Sequence, residues 1–154
     1  AAIWINAQRR PGAVPELLRV FFDANVLFSA SYQPEHPFLA FWQDPSVACL
    51  TSFYAADETR RNCVSDEHRR RLEALLERTH LVSDATGAPL PPAVVLPAKD
   101  QPILAAALQA GADYLITGDK GHFARWMGEP IPTARGTLTI LRPRPLLLLL
   151  AGRS

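Results

Sequence analysis

Asp23, Glu58, Asp100 and Asp119 are the residues whose types and places could do chemistry together, and two of them end apolar runs suited to buried strands. Val20-Phe21-Phe22 stops at Asp23, and Tyr114-Leu115-Ile116-Thr117-Gly118 stops at Asp119. Such a stop places a carboxylate at the carboxyl edge of a parallel sheet, where open α/β folds gather their ligands. Glu58 falls within a helical stretch and Asp100 opens another. If the strands are neighbours, the carboxylates converge on one pocket. Like charges so packed raise one another's pKa, and a divalent cation relieves that directly. Oxygen-only donors select a hard ion, Mg²⁺ or Mn²⁺, over zinc.

Each acid also has an ordinary account. Asp23 and Asp100 can be helix N-caps, worth about 1 kcal/mol each. Asp119 follows a glycine and can shape a turn. Glu58 can pair with Arg61 or bond Asn62 along its helix. The joint pattern favours the site, although no single residue does. Asp57 adjoins Glu58, and because a helix turns neighbours apart by about 100° only one can face the pocket squarely; Glu58 is the choice. No Ser-His-Asp or Cys-His arrangement stands out, which suits hydrolysis without a side-chain nucleophile.

The elements that must position these acids follow a regular rhythm. A strand over residues 19–23 leads into a helix over 24–31, and a second helix over 36–43 is introduced by Pro34 and Pro37. A strand over 47–50 ends at Thr51 and Ser52, which can cap a third helix over 53–62. Ser65 caps a fourth helix with an apolar stripe at Leu72, Leu75 and Leu76. Leu81-Val82 makes a weak strand, residues 86–97 a loop rich in proline and glycine, and a strong helix from Asp100 stops at Gly111. Strands over 114–117 and 131–134 and a terminal helix opened by Pro143 or Pro145 complete the chain. Strands alternating with helices predict an α/β fold: a central parallel sheet of about four to five strands with helices on both sides.

With 154 residues, one well-cored domain is expected. It should span 19–150, with residues 1–18, broken by Pro11, Gly12 and Pro15, as an extension outside the core. A net charge of +1 gives no basic clamp by itself, so any nucleic-acid argument rests on local clusters. Arg60, Arg61, Arg69, Arg70, Arg71 and Arg78 form one, although a solvated helix face explains most such runs. Cys49 and Cys63 are too few for a disulfide framework or a zinc cage, which fits a reducing, cytoplasmic setting. The leucine run 146–150 falls far short of the roughly 20 apolar residues that span a bilayer, so it reads as a turn of buried helix and no membrane role is expected.

Val20-Phe21-Phe22-Asp23-Ala24-Asn25-Val26-Leu27, Glu58 on the third helix, Asp100-Gln101-Pro102-Ile103-Leu104, and Leu115-Ile116-Thr117-Gly118-Asp119-Lys120 together resemble the PIN-domain family over roughly residues 19–150. The resemblance implies a three-layer α/β/α fold and a metal-dependent ribonuclease. It assigns Asp23, Glu58, Asp100 and Asp119 as acidic ligands, with Asn25 and Thr117 supporting them. It also implies a toxin of a toxin–antitoxin pair, a homodimer held inactive by an antitoxin protein, with RNA as substrate. Many relatives carry a further acid where this chain has His122, which can ligate metal or shuttle a proton, although a surface or helix-capping role is the leading expectation. Arg60, Arg61 and Lys120 are candidate phosphate contacts by their nearness to Glu58 and Asp119.

Two rivals remain at this point. One is a catalytically weak domain of the same fold that only holds RNA or a protein. The other is an aspartyl-phosphate phosphatase, disfavoured because Asn25 stands where that chemistry wants a second acid.

Overall fold

The computed structural model describes residues 17–85, 89–119, 121–133 and 135–153. Residues 1–16, and with them most of the expected extension, lie outside the described residues, as do Lys120, Ala134 and part of the proline-rich loop. In chain order the elements are β1 (Leu18–Phe22), α1 (Ala24–Tyr32), a 3₁₀ turn (Pro37–Leu39), α2 (Ala40–Gln43), β2 (Val47–Ser52), α3 (Phe53–Asn62), α4 (Asp66–Glu77) and β3 (His80–Val82). There follow α5 (Gln101–Gln109), β4 (Tyr114–Ile116), a second 3₁₀ turn (Ala124–Trp126), β5 (Pro130–Thr133), β6 (Gly136–Leu141) and α6 (Pro143–Ala151).

The described strands form one six-stranded sheet in the order β3-β2-β1-β4-β6-β5, parallel except for β5 on β6, and six α-helices flank it. This is the expected α/β architecture with one strand more. β1 is central and buried on both faces, with Val20, Phe21 and Phe22 fully inside, as the unbroken apolar run requires. The chain steps from β1 outward to β3, then returns to lay β4 on the other side of β1. The crevice beyond β1 and β4 is therefore the switch point of the sheet.

Several expectations need correction. The fifth parallel partner is β6, whose alternation of buried Leu138 and Ile140 with more exposed Thr137 and Thr139 is a strand pattern the sequence reading passed over. The expected strand near 131–134 is instead the antiparallel edge β5, where Pro130 and Pro132 are tolerated because an edge leaves one side unpaired. The helix expected over 36–43 starts as a 3₁₀ turn, with Leu39 N–H bonded to His36 C=O and His36 Nδ1 accepting from Phe38 N–H. The leucine run is also only partly inside: Leu146 and Leu150 are buried, whereas Leu148 is exposed. Leu18 is buried in β1, so the core begins one residue before the expected boundary.

Local chemistry fixes the helix starts. Ser52 Oγ accepts from Ala55 N–H, and Ser65 Oγ from His68 N–H, each satisfying a donor that the first helical turn leaves open. Gly111, at φ 70°, ends α5 in a conformation that glycine adopts without strain. α1 packs against α3 and α4, and Thr59 Oγ1 donates to Ala24 C=O across that contact. His68 is fully buried there; its Nδ1 accepts from Val64 N–H, and its Nε2 lies 3.1 Å from both Phe28 C=O and Ser31 Oγ.

Candidate metal centre

Strand register sets the site. Phe22 is paired with Ile116, and Ile116 with Leu141, so the next residues, Asp23, Thr117 and Arg142, stand in a row at the carboxyl edge. Asp23 N–H donates to Ile116 C=O, and Thr117 N–H to Leu141 C=O, which carries the ladder one step past the strands. Thr117 is fully buried and its hydroxyl organises the row. It donates to Asp23 Oδ2 (2.8 Å) and accepts from Asp119 N–H (3.0 Å) and Asn25 Nδ2 (3.3 Å). Asn25 Oδ1 in turn accepts from Gly118 N–H at 2.8 Å. Asn25 and Thr117 thus tie the ends of β1 and β4 together.

The ordinary roles of the acids divide. Asp23 does cap α1, its Oδ1 accepting from Ala24 N–H at 2.7 Å. Asp119 does shape a turn, its Oδ1 accepting from Gly121 and His122 N–H groups at 2.9 and 3.1 Å. Asp100 caps nothing, although it precedes α5. Its Oδ2 is buried and has no hydrogen bond. His122 Nδ1 nevertheless lies 2.8 Å from that oxygen, an ion-pair contact whenever the ring is protonated, and 2.9 Å from Asp119 Oδ2. One ligand atom each from Asp100, Asp119 and His122 falls within 4.8 Å of the others.

Asp23 and Glu58 lie outside that tight group but act on it through charge. Burial pushes the Asp23 carboxyl up to about 6, against the Thr117 and Ala24 hydrogen bonds, and the charges of Glu58 and Asp100 add to the rise. Asp100 is also raised, by burial first and by Asp119, with His122 and Lys99 opposing. Asp119 moves the other way. Desolvation pushes it up, but the His122 and Gly121 N–H groups and the charges of His122 and Lys99 together outweigh that. Asp57 and Glu58 part as a helix demands: Asp57 is exposed and paired with Arg60, while Glu58 is the one whose charge reaches Asp23.

The basic residues fare differently from the expectation. Arg60 is taken up inside the protein, its fork on Glu73 at 2.8 and 3.1 Å and its remaining nitrogen on Asp57 at 2.8 Å. Three of the five guanidinium N–H donors are thus engaged between α3 and α4, which ties Arg60 to the fold and leaves two for any other partner. Arg61 is exposed on the last turn of α3. Lys120 lies outside the described residues. Lys99 and Arg142, which the sequence reading did not single out, are the cations placed at this edge: Lys99 by its charge on Asp100 and Asp119, Arg142 by register beside Thr117. Among the described residues Arg142 has no carboxylate partner. A cleft of about 370 Å³ runs from Asp119 and Asn25 past Ser29 and Phe38 to Arg142. A larger hollow of about 560 Å³, between Tyr54 and the start of α5, is lined mainly by apolar groups such as Val94, Leu96 and Ala105, and the acid cluster does not open into it.

The donor set fits a divalent cation. Two carboxylate oxygens, from Asp100 and Asp119, and the His122 ring nitrogen converge at a sheet edge, and burial raises the carboxyls of Asp23 and Asp100 above their ordinary value.

Comparison with known proteins agrees with this geometry. The family profile described as PIN domain matches residues 19–121, more than half of the chain. Among solved structures, a chain of VapBC2 from Rickettsia felis, bound to a DNA fragment from its promoter, superposes with a TM-score of 0.52 at 12% identity. The match covers 80% of this chain and 98% of that one, and at such identity the likeness is one of fold. No curated protein matches the chain in sequence. Among the described residues no helix is long and apolar enough to cross a membrane.

Proposed function

The chain belongs to the PIN-domain family, and we propose that it is a divalent-metal-dependent ribonuclease, the toxin of a toxin–antitoxin pair. The observation that carries this reading is the convergence of Asp23, Asp100 and Asp119 at the switch point, with the buried Asp100 Oδ2 met only by the His122 ring. A buried carboxylate oxygen without a partner is destabilising unless something charged completes it.

Asp100 and Asp119 would hold the cation most directly, with Asp23 and Glu58 completing the acidic wall. When bound, Mg²⁺ or Mn²⁺ lowers the pKa of an attacking water and offsets charge developing on the phosphate. The side chains have separate tasks. Asp119 is kept ionised by the turn that donates to its Oδ1, leaving Oδ2 for the cation. Thr117 holds Asp23 as an acceptor, because the hydroxyl's own acceptor capacity is filled by Asp119 N–H and Asn25 Nδ2. Lys99, Arg142 and the exposed Arg61 would bind phosphates flanking the scissile one. An antitoxin would block this edge by presenting an arginine to the carboxylates. The VapBC2 likeness supports a toxin–antitoxin setting, and a cytoplasmic homodimer is the form we propose. The phosphatase rival loses ground because both ends of the Asn25 amide are engaged by Gly118 and Thr117.

The test is cleavage of single-stranded and structured RNAs by the purified full chain with Mg²⁺ or Mn²⁺, beside Asp100→Asn and Asp119→Asn. Each variant should lose at least about a hundredfold in rate, the scale of removing one group that stabilises developing charge. Equal cleavage by all three proteins would refute the assignment. Tight RNA binding with no metal-dependent cleavage would favour the non-catalytic alternative.

A further inference from the structure

We infer that His122 is itself a metal ligand, through Nδ1, and that this site of two carboxylates and one imidazole favours Mn²⁺ over Mg²⁺. The inference rests on the metal-dependent reading above and adds a donor and a preference to it.

The first argument is geometric. Nδ1 stands 2.8 Å from Asp100 Oδ2 and 2.9 Å from Asp119 Oδ2. A ring nitrogen carries at most one hydrogen and can aim it at only one of two acceptors. Neighbouring ligands around an octahedral ion with bonds of about 2.1 Å are about 3 Å apart, and that is the spacing of these pairs. The second argument is the Asp100 oxygen, which is buried in a residue only 7% exposed and has no polar neighbour to satisfy it except the ring itself. One ligand atom each from Asp100, Asp119 and His122 lies within 4.8 Å of the others, so a single ion can reach all three.

The local chain explains how the ring arrives there. His122 N–H donates to Asp119 Oδ1, so the turn that fixes the carboxylate also fixes the imidazole three residues on. The ring is 40% exposed on its side chain, which lets Nε2 keep its hydrogen against water and leaves the Nδ1 lone pair for a cation. Imidazole is a good ligand for transition-metal dications, whereas Mg²⁺ demands oxygen and sheds water reluctantly. An all-acid site would not discriminate in this way.

A competing account makes His122 only a counter-ion, its positive charge neutralising Asp100 and Asp119 while no metal is bound. The two accounts predict opposite effects of removing the ring. A counter-ion competes with metal, so His122→Ala would tighten Mn²⁺ binding; a ligand contributes, so the same change should weaken it at least about tenfold, the scale on which even supporting groups of a metal site act.

The experiment is titration of the metal-stripped full chain with Mn²⁺ and with Mg²⁺, followed by electron spin-echo spectroscopy of the Mn²⁺ form. The expected result is ¹⁴N modulation of a directly bound imidazole, lost in His122→Asp, together with a shift of the His122→Asp variant's preference toward Mg²⁺. Mn²⁺ binding that depends on Asp100 but shows no imidazole ¹⁴N, or that tightens in His122→Ala, overturns the inference and leaves the metal reading intact. Mn²⁺ binding indifferent to Asp100→Asn and Asp119→Asn overturns both. Circular dichroism of each variant separates loss of ligand from loss of fold.

Discussion

Replacing Asp23 by asparagine should stabilise the metal-free fold at about pH 8 and destabilise it at about pH 4, a reversal that follows from where the carboxyl sits. Burial lifts its pKa from 3.8 to about 6. That is about two units, and at about 1.4 kcal/mol each the ionised side chain costs the folded state ~3 kcal/mol at neutral pH. The sign is that of a raised acid. The native state binds the proton more tightly than the unfolded chain, so this stabilising contribution is complete below the unfolded pKa and is lost as pH climbs through about 4 to 6. Asparagine has no charge to desolvate and escapes the loss.

It does not escape all penalty. Thr117 Oγ1 already accepts from Asp119 N–H and Asn25 Nδ2, so it cannot accept from an amide as well. The new side chain must point its oxygen at Thr117 and its NH₂ at the Ala24 N–H, leaving donors facing each other at a cost of about 1–2 kcal/mol. The balance is a gain of about 1–2 kcal/mol near pH 8 and a loss of the same size near pH 4. Urea unfolding of both proteins in chelator at the two pH values measures it. The difference of differences, ~3 kcal/mol, cancels the hydrogen-bond penalty and isolates the buried charge. A swing below about 1 kcal/mol, or one of opposite sign, would refute the argument that burial dominates this carboxyl.

Thr117→Val keeps the shape but removes a donor to Asp23 and an acceptor for Asp119 N–H, so it should cost about 2 kcal/mol by urea unfolding and raise the Asp23 pKa further by NMR titration. Lys99→Glu and Arg142→Glu should each weaken RNA binding and reduce its salt slope by about 1, read by fluorescence anisotropy across salt concentrations. Arg60→Ala should leave RNA affinity unchanged and lose at most about 1 kcal/mol of stability, because its partly exposed pairs with Glu73 and Asp57 are internal.

Much of the fold was legible because β1, β4 and α5 announce themselves in the chain. Val20-Phe21-Phe22 is too apolar for a one-sided strand, and Ile103, Leu104 and Ala107 repeat at helical spacing. β6 was missed although Leu138 and Ile140 alternate with threonines, since proline and glycine nearby read more strongly as turn. Asp23, Asp100 and Asp119 stood out by their places after apolar runs or at a helix start, and Asp100 and Asp119 do meet in one tight group. Their partners did not stand out. That Arg60 pairs with Glu73 depends on how α3 meets α4, and that Arg142 stands at the edge depends on register, neither of which is written in local spacing. His122 was visible three residues after Asp119, yet a surface role was the stronger expectation, because only the approach of the turn to Asp100 brings its ring between two carboxylates.

The acids at the switch point are arranged against the stability of the chain that carries them. A well-made core would give Asp100 Oδ2 a donor, and would not seat Asp23 where burial and the charges of Glu58 and Asp100 all favour its proton. Asp119, one turn from His122, shows that the same edge can hold an ionised carboxylate comfortably when backbone N–H groups are aimed at it. The contrast lies in the construction. Asp23 receives only the Thr117 hydroxyl and the Ala24 N–H, too little to offset its burial, and Asp100 stands before α5 without bonding its first turn. Local rules broken together at one place, while the surrounding sheet and helix caps obey them, are consistent with a metal site. A divalent cation at this edge would turn each of those unfavourable features into a bond, so the same residues that weaken the empty protein should make its stability rise with metal.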